Sequence, residues 1–396
     1  MFSAPDCIWM AQALRLAERG LYTTSPNPRV GCVLVRDGNV VGESWHERAG
    51  EPHAEVYALR EAGEAVRGAT AYVTLEPCSH HGRTPPCADA LIAAAIARVV
   101  VAMQDPNPLV AGQGIAKLRA ASIEVECGLM EAAARELNLG FVARMTRGTP
   151  WLRSKIAASL DGRTALSNGA SQWITGTAAR RDVQHWRARS CAVLTGIDTV
   201  LADDPQLNVR GLETSRQPLR VVLDSRLRMP LTARILHNLR PSPAREITSD
   251  LAAVVSQPSR MTSRPIRGAV GEGGLLIYAA VHDAEKIAAL EQAGASVSVL
   301  PDANGQVDLA AMLGELAKRG CNEVLVEAGS TLNGALLHAG LVDELVLYLA
   351  PQLLGDMAQG MARLGELTSL DHRVNLDWQD VRQVGRDLRI VAKVKK

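Results

Sequence analysis

Residues 53–59 read HAEVYAL and residues 76–87 read EPCSHHGRTPPC. The first segment opens on His-x-Glu; the second holds Cys78 and Cys87 with eight residues between them. Zinc takes thiolate sulfur and imidazole nitrogen in tetrahedral sites, and a catalytic zinc keeps three protein ligands and leaves a fourth position for water. His53, Cys78 and Cys87 are three such ligands. Glu55, two residues after the histidine, lies close enough to face the metal and carry protons between water and a leaving group. Cys87 opens the helical run CADALIAAAIA, where free N–H groups and the helix dipole favour a thiolate. A structural zinc would have four protein ligands. His80 and His81 stand in the intervening loop as pocket residues rather than ligands.

Around this constellation the chain alternates helix and strand signals. DCIWMAQALRLAERG has one apolar face, Ser3 as a cap and Gly20 as a stop. VGCVLVRDGNVVGESW is a hairpin turning at Asp37-Gly38. A helix runs from near His53 to Gly63. Then come the strand ATAYVTLEP, the CADALIAAAIA helix, the buried strand RVVVAM, a helix, the strand IEVEC and a helix from Met130. This is a layered α/β domain closing by about residue 145. RMTRGTP, residues 144–150, reads as a linker or first turn, and a second α/β domain follows. Its strand candidates are WLRSKIAAS, CAVLTG, LRVVLD, LLIYAA, SVSVL, EVLVEAG and DELVLYLAP. Residues 241–274, rich in proline, serine and arginine, read as a surface insertion.

The 396-residue length favours two domains. With 43 basic against 42 acidic residues, the chain lacks the cationic excess of a nucleic-acid binder. Apolar runs such as LIAAAIA are too short to cross a bilayer, and the N-terminus lacks a signal-peptide pattern, so a soluble cytoplasmic protein is expected. Seven scattered cysteines do not read as a disulfide framework; apart from Cys78 and Cys87 they read as small core residues.

His-x-Glu followed by Pro-Cys-x-x-Cys is the signature of zinc deaminases of nucleobases. Here the second cysteine comes after eight residues instead of two. PNPRVGCVLV, HAE, EPCSHHGRTPPC and DPNPLVAGQG together resemble the bifunctional riboflavin-biosynthesis deaminase–reductase family, in which the longer loop ending Thr-Pro-Pro-Cys is the usual form. The resemblance continues through KIAASLDGRTA, SQWITG, GIDTVLADDPQLNVR, VVLDSRLR, EAGSTLNGALL and APQLLG, and lapses at 241–274. It implies a cytidine-deaminase-like three-layer αβα domain (1–146) followed by a dihydrofolate-reductase-like α/β domain (147–396). It further implies zinc-dependent deamination of 2,5-diamino-6-ribosylamino-4(3H)-pyrimidinone 5′-phosphate, then NADPH reduction of the product's ribosyl group to ribityl.

By the same resemblance Asn27 binds the pyrimidine, and Ser171, Arg187, Leu207, Arg210 and Glu327 contact the substrate of the second reaction. Ala157, Trp173, Thr199, Asp203 and Ser225 match cofactor positions. No Gly-x-Gly-x-x-Gly follows a strand, so a Rossmann domain is not supported, and GQG at 112–114 reads as a turn. Strand EVLV leads through Glu327 into a small, polar run opening a helix: Gly329, Ser330, Thr331, Leu332, Asn333, Gly334 and Ala335. Small residues at a helix N-terminus let backbone N–H groups approach a phosphate. The resemblance assigns this turn to the NADPH pyrophosphate. Arg226 or Arg228 is a hypothetical partner of the NADPH 2′-phosphate, motivated by DSRLR following a strand. A solvated charge run is the alternative, and it holds if Arg226→Ala and Arg228→Ala leave the NADPH/NADH preference unchanged. Lys155 and Asp203 are both candidates for acid–base work on the sugar. A homodimer is expected from symmetry and family.

Two other readings compete. A nucleic-acid deaminase with an unrelated second domain is disfavoured by the neutral charge. A zinc-stabilised scaffold would tolerate Glu55→Ala.

Overall fold

The computed structural model describes residues 2–79, 86–237 and 273–396. His80, His81 and most of the 241–274 insertion lie outside the described residues. The chain forms two compact units, one through Gly148 and one from Thr149.

In the first unit helix α1 (Ala4–Glu18) starts at a capping box, with Ser3 and Asp6 each bonding the other's backbone N–H. Strands β1 (Gly31–Arg36) and β2 (Asn39–Trp45) form the expected hairpin, with Asp37 and Gly38 both at positive φ. Then come α2 (Ala54–Ala62), β3 (Thr70–Val73), α3 (Cys87–Ala93), β4 (Arg98–Val101), α4 (Gln113–Ala120), β5 (Glu124–Cys127), α5 (Glu131–Leu137) and α6 (Leu139–Arg147). The sheet order is β2-β1-β3-β4-β5; β1 is antiparallel to both its neighbours and β3-β4-β5 run parallel. Two glycines show how the layers close. A Cβ on Gly31 would fall 2.0 Å from the Ala13 carbonyl of α1, and one on Gly42 would fall 2.4 Å from the Ala58 carbonyl of α2. Gly31 pairs with Trp45, three residues from Gly42, so the two glycines face opposite sides of the sheet. Hence α1 and α2 cover opposite faces, giving three layers. At the sheet's N-terminal edge, Arg98 forks onto Asp6 at 2.7 and 3.2 Å, and Tyr72 donates to the same carboxylate at 2.7 Å.

Residues 144–147 belong to α6, so the linker expected at 144–150 shrinks to a short turn at Gly148, whose φ is +71°. Cys127 is exposed and Cys7 half-buried, against the expectation of core cysteines; Cys127 ends the edge strand β5.

The second unit runs β6 (Trp151–Ser159), β7 (Arg163–Ala165), α7 (Thr177–Arg189), β8 (Ala192–Gly196), α8 (Ile197–Asp203), β9 (Leu219–Leu223), β10 (Leu275–Ala279), α9 (Ala284–Gln292), β11 (Ser296–Val299), α10 (Leu309–Lys318), β12 (Glu323–Val326), α11 (Ser330–His338), β13 (Glu344–Ala350), β14 (Gln359–Gly360), β15 (Leu376–Val384) and β16 (Asp387–Val394). The main sheet is ordered β11-β10-β9-β8-β12-β6-β13-β16-β15. The strands from β11 to β13 in that order are parallel, and β8, β9, β10, β12 and β13 read as largely apolar, buried runs because both faces are covered. β16 and β15 close the edge as an antiparallel hairpin. The sequence reading missed this hairpin: β15 is a polar, mostly exposed edge strand without the apolar run of its neighbours. Near the start of β6, buried Arg153 lies between Glu323 and Glu344, and Arg189 adds a contact to Glu323 at 3.1 Å. Among the described residues no helix is long and apolar enough to cross a membrane.

Candidate metal centre and reductase cleft

His53 is the N-cap of α2, so its imidazole projects from the helix start while Glu55 sits in the first turn. Cys78 follows β3, and Cys87 is the first residue of α3. The three ligand atoms lie within 4.8 Å of one another. His53 Nδ1 is 3.2 Å from Cys87 Sγ and 3.6 Å from Cys78 Sγ. A tetrahedral zinc with ordinary Zn–N and Zn–S bonds places such N···S pairs ~3.5 Å apart, so the donor set fits. The Cys87 N–H donates to Cys78 Sγ at 3.3 Å, and the Ala88 N–H to the Cys78 carbonyl at 3.1 Å. The start of α3 therefore favours a thiolate at Cys78. Hydrogen bonds with Cys87 and His53 pull its pKa well below the usual thiol value despite burial.

Glu55 is 3% exposed, and its Oε2 has no hydrogen-bond partner among the described residues. Burial raises the carboxyl pKa above its ordinary value. A buried, unpartnered carboxylate oxygen beside these three donor atoms is suited to take a proton from water and give it back.

A second contact chain orients Asn27. His46 is buried, and its Nδ1 lies 3.1 Å from the Pro52 carbonyl. A carbonyl only accepts, so Nδ1 carries the proton and Nε2 is an acceptor. Burial pushes the His46 pKa down to about 4, keeping the ring neutral. Asn27 Nδ2 then donates to Nε2 at 3.1 Å, and its Oδ1 remains to accept from a ligand. Sequence reasoning found Asn27 but not His46, which carries no local motif.

In the second unit, a cleft of about 1800 Å³ opens at the C-terminal ends of β6, β8, β9 and β12, where parallel sheets bind ligands. It is lined by Ala157, Ser171, Trp173, Arg187, Thr199, Asp203, Leu207, Arg210, Ser225 and Glu327, and by Gly329, Ser330, Thr331, Leu332 and Ala335. Asn333 and Gly334 stand behind this wall. Asn333 is fully buried, accepts from Ser154 Oγ and donates to the Ala328 and Met361 carbonyls. A Cβ on Gly334 would fall 2.1 Å from the Arg363 carbonyl. These two residues hold the shape of the turn that opens α11.

At the cleft's centre Arg187 forks onto Glu327 at 2.5 and 3.0 Å, and Lys155 Nζ lies 3.8 Å from the same carboxylate. Burial pushes the Glu327 carboxyl up, but Arg187 and Lys155 pull it further the other way, to about 2. Burial lowers the Lys155 pKa, with Glu327 opposing. Leu207 holds φ +52°, which places the Asn208 carbonyl on Arg187 at 2.9 Å. Asp203 accepts from Gln172, and exposed Trp173 stacks under Arg180. Arg226 and Arg228 both line the cleft, with Arg228 held by Asp198 at 2.6 Å.

Residues 4–103 match the model of the cytidine and deoxycytidylate deaminase zinc-binding region, and residues 150–390 match that of the RibD C-terminal domain. The chain is 48% identical to the riboflavin biosynthesis protein RibD of Escherichia coli over 97% of this chain and 98% of that one. It is 44% identical to the RibD of Haemophilus influenzae over 98% and 97%. Among solved structures, Acinetobacter baumannii RibD superposes with a TM-score of 0.85 at 45% identity, covering 99% of both chains. A diaminohydroxyphosphoribosylaminopyrimidine deaminase/5-amino-6-(5-phosphoribosylamino)uracil reductase from Thermotoga maritima superposes at 0.81 with 30% identity and the same coverage. These matches bear out the expected fold: a cytidine-deaminase-like unit followed by a RibD reductase unit. A match to the zinc-binding deaminase region with three candidate ligands gathered in it, followed by a match to the RibD C-terminal domain with an open cleft, places the chain in the RibD family of bifunctional riboflavin-biosynthesis deaminase–reductases.

Proposed function

We propose that the unit through Gly148 deaminates 2,5-diamino-6-ribosylamino-4(3H)-pyrimidinone 5′-phosphate. The unit from Thr149 then reduces the ribosyl group of the resulting 5-amino-6-(5-phosphoribosylamino)uracil to ribityl. The observation that carries this reading is the buried His53–Cys78–Cys87 cluster with the unpartnered Glu55 oxygen beside it. When bound, zinc supplies a water that ionises near neutral pH, and NADPH supplies a hydride.

In the first reaction His53, Cys78 and Cys87 hold the metal, and the Asn27 Oδ1 accepts a pyrimidine N–H. Glu55 takes the proton released as the water oxygen adds to the amino-bearing ring carbon. It returns that proton to the nitrogen as the C–N bond breaks and ammonia leaves. In the second reaction Arg187 and Arg210 face the anionic substrate, with Ser171, Leu207 and Glu327 shaping its pocket. Ala157, Trp173, Thr199, Asp203, Ser225, Gly329, Ser330, Thr331, Leu332 and Ala335 would hold the dinucleotide, and the free N–H groups at the start of α11 would suit its pyrophosphate, with Asn333 and Gly334 shaping that turn from behind. Reduction at the sugar C1′ would open the C1′–O4′ bond, and O4′ would then take a proton from a side chain of the cleft. Lys155 is the donor in this scheme because burial weakens its hold on the proton, whereas Asp203 is engaged by Gln172.

A coupled assay tests the division of labour. Stripping zinc should abolish ammonia release from the diaminopyrimidine phosphate and with it NADPH oxidation, while NADPH oxidation on the supplied deaminated pyrimidine continues. Equal NADPH consumption from the diaminopyrimidine with zinc removed would overturn the scheme.

The assembly expected is a homodimer joined at the edge strand β15, which exposes Trp378 and Val381 at 60% and 57%. Light scattering should report two chains, and Trp378→Lys with Val381→Lys should report one; an unchanged mass rules out this edge. The cytoplasmic location is part of the same proposal, tested by cell fractionation.

A further inference from the structure

Glu76 is the first residue of EPC, two residues before the Cys78 ligand, and is 5% exposed. Its carboxylate accepts four backbone N–H groups. Oε2 takes those of Asp105 at 3.1 Å and Gly112 at 2.9 Å; Oε1 takes those of Gly114 at 2.9 Å and Ile115 at 3.1 Å. Three of the four donors belong to the N-terminus of α4, where unpaired N–H groups and the dipole favour an anion. GQG therefore does more than turn the chain. Gly112 opens α4 at φ +81°, and a Cβ on Gly114 would fall 1.9 Å from the Pro77 carbonyl. The glycines let this backbone close directly over the residue that precedes Cys78. On its other side Cys78 is held by the Cys87 and Ala88 N–H groups. The ligand thus sits on a short arm clamped at both ends.

We propose that Glu76 is a positioning residue for the metal centre: its carboxylate, seated in the backbone cradle of residues 105–115, fixes Pro77 and Cys78 so that the Cys78 thiolate meets the metal. This rests on the zinc reading of the His53–Cys78–Cys87 cluster. The four donors require two acceptor oxygens, each serving two N–H groups. Glutamine keeps the shape but turns one of those oxygens into a donor, so two hydrogen bonds are lost and donors face each other. Aspartate keeps the charge but is a methylene short. Groups that orient metal ligands alter metal affinity about 10–100-fold when removed.

The test uses the full-length zinc-loaded protein and follows zinc transfer to a chromophoric chelator. Glu76→Gln and Gly114→Ala act on opposite sides of the same contact. Both should release zinc about 10–100-fold faster than wild type. Their ammonia release should fall at limiting zinc and recover as zinc is raised, while reduction of the supplied deaminated pyrimidine stays at the wild-type rate. Glu76→Asp should lie between wild type and Glu76→Gln. Wild-type zinc release in both Glu76→Gln and Gly114→Ala overturns the proposal, as does a loss of deamination that added zinc does not restore. Unfolding of the first unit in all three variants also overturns it, since the carboxylate would then be a fold determinant. If the wild-type protein itself holds no stoichiometric zinc, the metal reading fails instead.

Discussion

Glu55→Gln should leave the chain folded and zinc-loaded, yet release ammonia about 10²–10⁴-fold more slowly than wild type, the usual contribution of a positioned acid–base group. The side chain is buried beside the ligand cluster with one oxygen unpartnered, so the neutral isostere fills the same space without a new cavity. What changes is the proton inventory. Glutamine cannot accept the proton of the attacking water or return it to the departing nitrogen. Zinc content by elemental analysis should match wild type, because the three ligands are untouched. NADPH oxidation on the supplied deaminated pyrimidine should also match, because that reaction uses the second unit. Ammonia release within a few-fold of wild type would remove Glu55 from the chemistry and revive the scaffold reading.

Glu327→Gln should disable the second reaction and destabilise the second unit. Glu327 is the one carboxylate in contact with both Arg187 and Lys155 among the described residues, and its side chain is 11% exposed. Removing its charge leaves two largely buried cations uncompensated, a change that costs about 3–5 kcal/mol. For a unit of this size that lowers the melting temperature by roughly 10 °C. Lys155 and Arg187 also lose the anchor that sets their positions, and a misplacement of that kind costs about 10²-fold in rate.

The acid response of Glu327 has a definite sign. Its folded pKa, about 2, lies below the ordinary 4.5. Stability from this group is therefore fully present above pH 4.5 and is lost as pH falls from there toward 2. The shift corresponds to on the order of 3 kcal/mol. Asp6, held down by Arg98, also yields in acid, so the informative quantity is the difference between wild type and Glu327→Gln. That difference should shrink as pH drops through this window. Denaturation curves that differ by a constant amount from pH 6 to pH 2 would show that the Arg187–Glu327–Lys155 cluster does not stabilise the fold.

Much of the site was legible because its chemistry is local or carried by motif. Ligand types at His53, Cys78 and Cys87 follow from what zinc binds, and Glu55 from its spacing to His53. The alternation of apolar runs with glycine, proline and capping residues marked nearly every buried strand and the Asp37-Gly38 hairpin. The β15–β16 hairpin escaped because an exposed edge strand does not need an apolar run. His46 and Glu76 escaped as site residues for a different reason: each acts through partners chosen by the fold. His46 has meaning only with the Pro52 carbonyl on one nitrogen and Asn27 on the other. Glu76 has meaning only when four backbone N–H groups from 105–115 converge on it.

Taken alone, the sequence determined the two-unit α/β organisation and the candidate ligand set His53, Cys78 and Cys87, since periodicity and motif spacing are properties of the chain itself; the residues expected around the two reactions came from the family resemblance. Only the tertiary structure decided which nitrogen of His46 is protonated, which end of the Asn27 amide faces His46, and that Asn333 and Gly334 stand behind the cleft wall. It alone brought Lys155, Arg187 and Glu327, spread over more than 170 residues of chain, into one ionic cluster. Hydrogen-bond direction and charge pairing depend on distances of a few ångströms between segments remote in sequence, and those distances exist only once the sheets have formed.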